Sequence, residues 1–481
     1  LGIIMCVSAG CRQPKPQQTA ADTVIRNVAV LDAANGLRRN RTVALRGAEI
    51  AQITTGDAAE RFTAHTVIDG TGKYLIPGLW DAHVHLSYAP GIDHHVFFPL
   101  ALAHGVTSLR DTGGHLDLLE PARAAAKEDP ITPDLYISGP LIDGPLRVYA
   151  GQAAGFPDLS IGVATPAQAA QRVDDLARAG VHFVKAYEML APEVFAAVAE
   201  QAAQQGLKVA AHVPLSMSVE DAARAGADDL QHLRNLEMSC AADAAELKVR
   251  RRVRLTLRST DNPAKLRQEI HAEQRGPAVA AFNEQACQAM VDVLAVEQVF
   301  QTPTLTVARI FTHKLFVQDA YRQSFDLMPG PIAKVWRERS SALSNRPLDA
   351  ATRSYDNFLI KVLNMVRARG VPIMAGTDAP IAFLTPGASL HAELALLVDA
   401  GLTPLEALKA ATLTPAEFFG EDDVKGSIAP GMKADLVLLN ANPLDDIRNV
   451  SAIDSVIKDG IVLRRSTLDE LLLQPSTDLG D

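Results

Sequence analysis

Between residues 75 and 379 the chain repeats one pattern: a short β-like apolar run, then a stretch that reads as helix. Eight runs stand out: LIPGLWDAHVHL, GVTSLRD, DLYISGPLI, VHFVKAYE, LKVAAHV, DDLQHL, TPTLTVA and VPIMAGTDA. Strands that alternate with helices pair in parallel, because the crossover helix carries the chain back to start a neighbouring strand. Eight such units are the signature of an α/β chain folded as a (β/α)8 TIM barrel. Local signals punctuate the series. Thr165-Pro166 reads as an N-cap with proline at the first helical position, and Gly180 closes that helix. The helix PEVFAAVAEQAAQQ ends at Gly206. Ser218 with Asp221 is a capping-box variant, and Gly226 stops the helix it opens.

Outside the series the texture changes. TVIRNVAVLDA, RTVALRGAEIAQI and HTVIDGTGKYLIPG near the start, and GSIAPGMKADLVLLNA and SAIDSVIKDGIVLRR near the end, alternate β-type runs with turns. Two strand-rich ends around a helical middle predict a small β-sandwich domain formed from both chain ends. The expected organisation is a leader-like segment and linker over 1–22, the sandwich over 23–77 and 424–467, the barrel over 78–423, and a tail over 468–481. Residues 240–300 exceed what a crossover needs. Insertions after a barrel strand sit on the catalytic face, so this one reads as a lid or as a surface decoration.

With 481 residues and 48% hydrophobic content the chain can bury a large core, and its net charge of −10 argues against nucleic acid as a partner. The one basic run, KVRRRVRLTLR, reads as a solvated helix face. LGIIMCVSAGC followed by RQPKPQQTAAD is similar to the tail of a bacterial lipoprotein signal, cleaved before Cys11; a plain secretory signal is the alternative. Either places the protein outside the cytoplasm, periplasmic or tethered to the outer membrane through lipidated Cys11. Cys240 and Cys287 then remain as candidates for a disulfide.

Side chains on a strand alternate faces, so His83 and His85 in DAHVHL point the same way. Further chemistry lies at other run ends: Lys185, His212, His232 and Asp378. Barrel enzymes place catalytic groups at the C-terminal ends of their strands. Six such residues at the expected ends read as a metal site.

At these residues the chain resembles the amidohydrolase superfamily, from about residue 23 to 465. The motifs are PGLWDAHVHL, HGVTSLRD, FVKAYE, AAHVP, LQHL, AGTDA, SLHAEL and GSIAPGMKADLVLLNANPL. It is most similar to the subgroup of Xaa-Pro dipeptidases, N-acyl-amino-acid hydrolases and imidazolonepropionase-related proteins. The resemblance implies two divalent ions, with zinc favoured by the ligand types and manganese or cobalt as alternatives. His83, His85 and Asp378 would hold the more buried ion, His212 and His232 the second, and an N-carboxylated Lys185 would bridge them. A water shared by the ions would attack a carbonyl, with Asp378 passing its proton to the leaving amine. His391 in SLHAEL matches a family feature and reads either as support for the site or as helix packing. After the third strand this chain reads SGPLIDGPLRVYAG where prolidase and ochratoxinase relatives carry a TGGHG-type segment.

The expected reaction is hydrolysis of an amide bond in a small dipeptide or N-acyl amino acid. A cyclic amide or imine hydrolase, a deaminase, and a non-catalytic binding protein are the alternatives. Tyr187 and Arg234 lie two residues beyond Lys185 and His232, so the period of two aims them at the cavity mouth, where they could hold a substrate carboxylate. Tyr149, Arg147 and Arg309 are second candidates, and an ion pair with Glu237 is the other reading of Arg234. A small-molecule substrate and further copies of the chain are the expected partners.

Overall fold

The structure is a computed structural model and describes residues 18–473. The leader reading and Cys11 lie outside the described residues, as does 474–481 of the expected tail. Among the described residues, no helix is long and apolar enough to cross a membrane.

The middle of the chain is α/β. Leu79–Val84, Val106–Asp111 and Asp134–Ile137 form a parallel three-stranded sheet. Ser160–Gly162, Leu141–Asp143, Phe183–Ala186, Lys208–Ala211, Asp229–Gln231 and Phe300–Thr302 form a parallel sheet of six, in that order. The segment 371–379 is not a continuous strand, but Ile373 bridges to Gln301 and Ala379 to Val84. The backbone N–H of His182 donates to Ile137 O at 2.9 Å, which sets the lysine strand beside the three-stranded sheet. Leu79–Val84 and Val106–Asp111 are buried along their whole length, as expected for parallel strands covered on both faces.

The helix signals correspond to real caps. Thr165 accepts from Gln168 N–H at the start of helix Pro166–Arg178, and Ser218 with Asp221 makes both bonds of a capping box before Val219–Arg224. Gly180 and Gly226 follow these helices with φ of 74° and 102°, a conformation that favours glycine.

Several runs depart from their predicted form. DLYISGPLI is two strands, because Gly139 turns the chain with a φ of 69°. DDLQHL is extended only over Asp229–Gln231, since His232 and Leu233 both have positive φ. TPTLTVA shares only Thr302 with its strand, Phe300–Thr302, and from Leu305 becomes helix Leu305–Arg309. There Thr304 turns left-handed, and the Glu393 carboxylate accepts from Leu305 N–H (2.8 Å) and Thr306 N–H (2.6 Å), as a cap would. The 240–300 insertion is three helices, Ala244–Thr256, Pro263–Ala280 and Glu284–Val296, with a Cys240–Cys287 disulfide joining the start of the segment to the third helix. The basic run is not wholly solvated, because Arg251 is buried against Gln274 and Asn235.

The two chain ends meet as expected, through antiparallel pairing of Tyr74–Pro77 with Leu436–Leu439. Instead of two separate sheets, all eight strands belong to one hydrogen-bonded sheet. The long strand Thr19–Asp32 pairs with Phe62–Asp69 along its first part and with Tyr74–Pro77 farther on, so the sheet continues without a break. Its core includes Ile25, Val30, Val43, Leu75, Leu436 and Ile457.

Candidate metal centre

The pair of histidines at the end of Leu79–Val84 meets segment 371–379 at close quarters. A Cβ on Gly376 would lie 2.7 Å from the Cβ of His83, so only glycine permits this approach. Asp378 then donates its backbone N–H to His83 O at 2.8 Å, and buried Asp81 holds Thr377 through its N–H and hydroxyl. His83 Nε2 and His85 Nε2 lie 3.2 and 3.3 Å from Asp378 Oδ1, and 3.3 Å from each other.

Those spacings suit a metal ion. Donors about 2.0 Å from a tetrahedral ion stand about 3.3 Å apart. Asp378 Oδ1 is buried and accepts no hydrogen bond from the described residues. His85 donates its Nδ1–H to Gly113 O at 3.0 Å, which turns Nε2 toward Asp378, with Thr112 Oγ1 3.4 Å away. Burial pushes His83 down to about 3, so its imidazole is neutral, the form that ligates.

The other three candidates close the same chamber. His232 Nδ1 lies 2.5 Å from Thr304 Oγ1 and 3.9 Å from Asp378 Oδ2. His212 donates from Nδ1 to Glu188 Oε1 at 2.7 Å, and burial pushes it down to about 3. Lys185 is 1% exposed, its Nζ has no hydrogen-bond partner among the described residues, and burial pulls its ammonium down to about 7. The structure therefore brings all six residues together, with His83, His85 and Asp378 as the tight trio. The second close trio among the described residues, Asp93, His94 and His95, is largely exposed and lies elsewhere.

The chamber holds about 200 Å³. It adjoins a larger cavity of about 980 Å³, and His232, Arg234, Arg267 and Val307 line both. Tyr149, Tyr187 and Arg234 line the chamber as anticipated. Arg147 and Arg309 do not. Arg147 turns to Asp158 at 2.9 Å, and Arg309, the last residue of helix Leu305–Arg309, is held by Asp356 at 2.9 and 3.3 Å. Arg234 pairs with Glu188 at 3.2 Å and not with Glu237, which faces Arg275. His391 serves helix packing, bonding His104 O through Nε2 at 2.8 Å.

Sequence reasoning missed Glu188, Arg267 and His271. Glu188 stands in FVKAYE, where strand alternation points it away from Lys185, but the strand ends at Ala186 and the chain turns. Arg267 and His271 are one helical turn apart on Pro263–Ala280, and nothing in the sequence places that helix over the chamber.

Comparison with known proteins places this site in context. The imidazolonepropionase of Geobacillus kaustophilus (strain HTA426) is 36% identical over 102 residues, covering 20% of this chain and 23% of that protein. The ochratoxinase of Aspergillus niger is 40% identical over 81 residues, 16% of each. The chain thus spans less than a quarter of the length of the curated relatives it matches. The crystal structure of a Xaa-Pro dipeptidase with bound methionine superposes with a TM-score of 0.65 at 18% identity, covering 92% of this chain and 99% of that one, which establishes a shared fold. The amidohydrolase family pattern matches residues 74–463, a span that includes all six chamber residues. The chain belongs to the amidohydrolase family.

Proposed function

We propose that this enzyme hydrolyses the amide bond of a small dipeptide or N-acyl amino acid that carries a free α-carboxylate. In this reading the two parallel sheets and segment 371–379 are the staves of one (β/α)8 barrel over 78–423, beside a β domain built from 23–77 and 424–467. The convergence of three ligating atoms on one point, beside a buried unpaired lysine and below two arginines, carries the reading.

His83, His85 and Asp378 would hold one divalent ion and His212 and His232 a second, zinc suiting the nitrogen-rich set. Such ions supply a Lewis acid and bring the ionisation of water close to neutral pH. Buried Lys185 suits a bridging role. Its amine is neutral enough to attack CO2, forming an N–C bond and releasing one proton, and the product is an anionic carbamate. Asp378 accepts a proton from the attacking water and returns it to the leaving amine. Tyr187 and Tyr149 wall the chamber, where a phenol can donate to the developing oxyanion. Arg234 and Arg267 lie at the junction with the outer cavity, and each keeps guanidinium N–H groups beyond those that Glu188 takes, suited to a carboxylate. A one-metal deaminase would have no use for Lys185.

The test is metal analysis followed by a screen of N-acyl amino acids and dipeptides against their C-terminal amides. We expect two metal equivalents per chain and a clear preference for the free acids. Equal turnover of acid and amide would overturn the substrate class, and one tightly bound ion at full activity would overturn the two-metal arrangement.

A further inference from the structure

Glu188 is fully buried beside the chamber, and both of its oxygens are occupied. Oε1 accepts from His212 Nδ1 (2.7 Å), Arg267 Nη2 (2.9 Å) and Arg234 Nη1 (3.2 Å). Oε2 accepts from Arg267 Nε (2.8 Å) and His271 Nε2 (3.1 Å). Arg267 and His271 both belong to helix Pro263–Ala280 of the insertion.

We propose that Glu188 is a positioning residue: gripped by the insertion helix, it locks His212 in the tautomer and orientation that present Nε2 to the metal chamber. A carboxylate only accepts hydrogen bonds, so the single proton of a neutral His212 must sit on Nδ1, and the lone pair is left on Nε2. Arg267 grips Glu188 with two parallel N–H groups, a planar fork that fixes the direction of the carboxylate as well as its place. The 240–300 segment therefore does more than cover the site. Three of the five contacts on Glu188 come from it, so the aim of a ligand at the end of Lys208–Ala211 depends on a helix more than fifty residues further along the chain. This inference rests on the metal reading proposed above.

The experiment is competitive zinc titration of metal-stripped full-length protein against a chromophoric chelator, for wild type, Glu188→Gln and Arg267→Met. Circular dichroism and a thermal melt run alongside, and 15N NMR of the imidazoles reports the tautomer. An amide in place of the carboxylate frees the Nδ1 proton to move. Glu188→Gln should weaken the second zinc about 10- to 100-fold, shift the His212 resonances toward a mixed tautomer, and lower kcat more than it raises KM. Arg267→Met, which keeps Glu188 but removes its fork, should move affinity in the same direction by a smaller factor. Wild-type zinc affinity in a folded Glu188→Gln overturns the proposal. If that variant does not fold, unchanged affinity and tautomer in Arg267→Met overturn it. Absence of zinc binding by the wild type would instead defeat the metal reading itself.

Discussion

Lys185 sits where burial pulls its ammonium down to about 7. It is 1% exposed, and its Nζ has no hydrogen-bond partner among the described residues, although Asp229, Asp378 and Glu188 are near enough to act on it through charge. A buried donor left unpaired costs about 1–3 kcal/mol, a cost that persists only where something else gives the atom a role. On the two-metal reading proposed above, Lys185→Ala should lower kcat by about a hundredfold or more and weaken metal binding. Millimolar acetate or propionate should restore a measurable fraction by standing in for the missing carboxylate. Steady-state assays with and without the acid check this, and ordinary turnover by Lys185→Ala alone would remove the bridging role. The lysine itself was legible in FVKAYE. Its isolation from every hydrogen-bond partner was not, because isolation depends on what other strands place around it.

At the scale of elements, the conversion of TPTLTVA from predicted strand to helix has an identifiable cause. Glu393 lies 88 residues from Leu305 along the chain, yet its carboxylate takes both Leu305 and Thr306 N–H groups and the Thr306 hydroxyl. Apolar and β-branched residues such as Leu305, Thr306 and Val307 favour strand locally, and a long-range cap overrides them. The same turn places Thr304 against His232. Glu393→Ala would leave two buried N–H groups without acceptors and should destabilise the protein by about 2–4 kcal/mol. Urea denaturation measures this. Because Thr304 orients His232, the same variant should also bind metal more weakly, which chelator competition can read. The short-range caps at Thr165 and Ser218 were, by contrast, readable from a few residues, since each bond spans only three positions.

For the whole molecule, one carboxylate ties the two-ended sheet to the α/β body. Asp134, on a strand of the three-stranded parallel sheet, receives Lys425 at 2.5 Å, Lys433 at 2.8 Å and Lys458 at 3.1 Å. Lys458 lies on strand Ile453–Lys458 of the end-derived sheet and is wholly buried. Burial would raise Asp134, but the three ammonium groups dominate and hold it well below its usual value. A depressed carboxyl stabilises the folded state above the unfolded value of about 3.9, and that stability is lost as pH falls through the lower folded value. Asp134→Asn should cost about 3 kcal/mol at pH 7 by leaving Lys458 with less compensation. Its deficit relative to wild type should shrink progressively below about pH 4. Denaturation midpoints between pH 7 and pH 3 check both, and a deficit independent of pH would show that the ion cluster is not the cause.

The sequence by itself determined the alternation of strands and helices, the pairing of the two chain ends, and the six residues that meet in the chamber. Each is written in local patterns: a period of two on His83 and His85, capping residues within one turn, and chemistry repeated at the ends of apolar runs. Cys240 and Cys287 were legible as candidates because no other cysteine remains beyond the first 11 residues. Only the tertiary structure decided the rest. It sent Arg147 to Asp158 and Arg309 to Asp356, kept Arg234 on Glu188, and brought Arg267 and His271 onto Glu188 from a helix whose position no local signal encodes. The physical reason is common to all of them. A charged side chain chooses its partner by proximity and burial in three dimensions, and neither is a property of its neighbours in sequence.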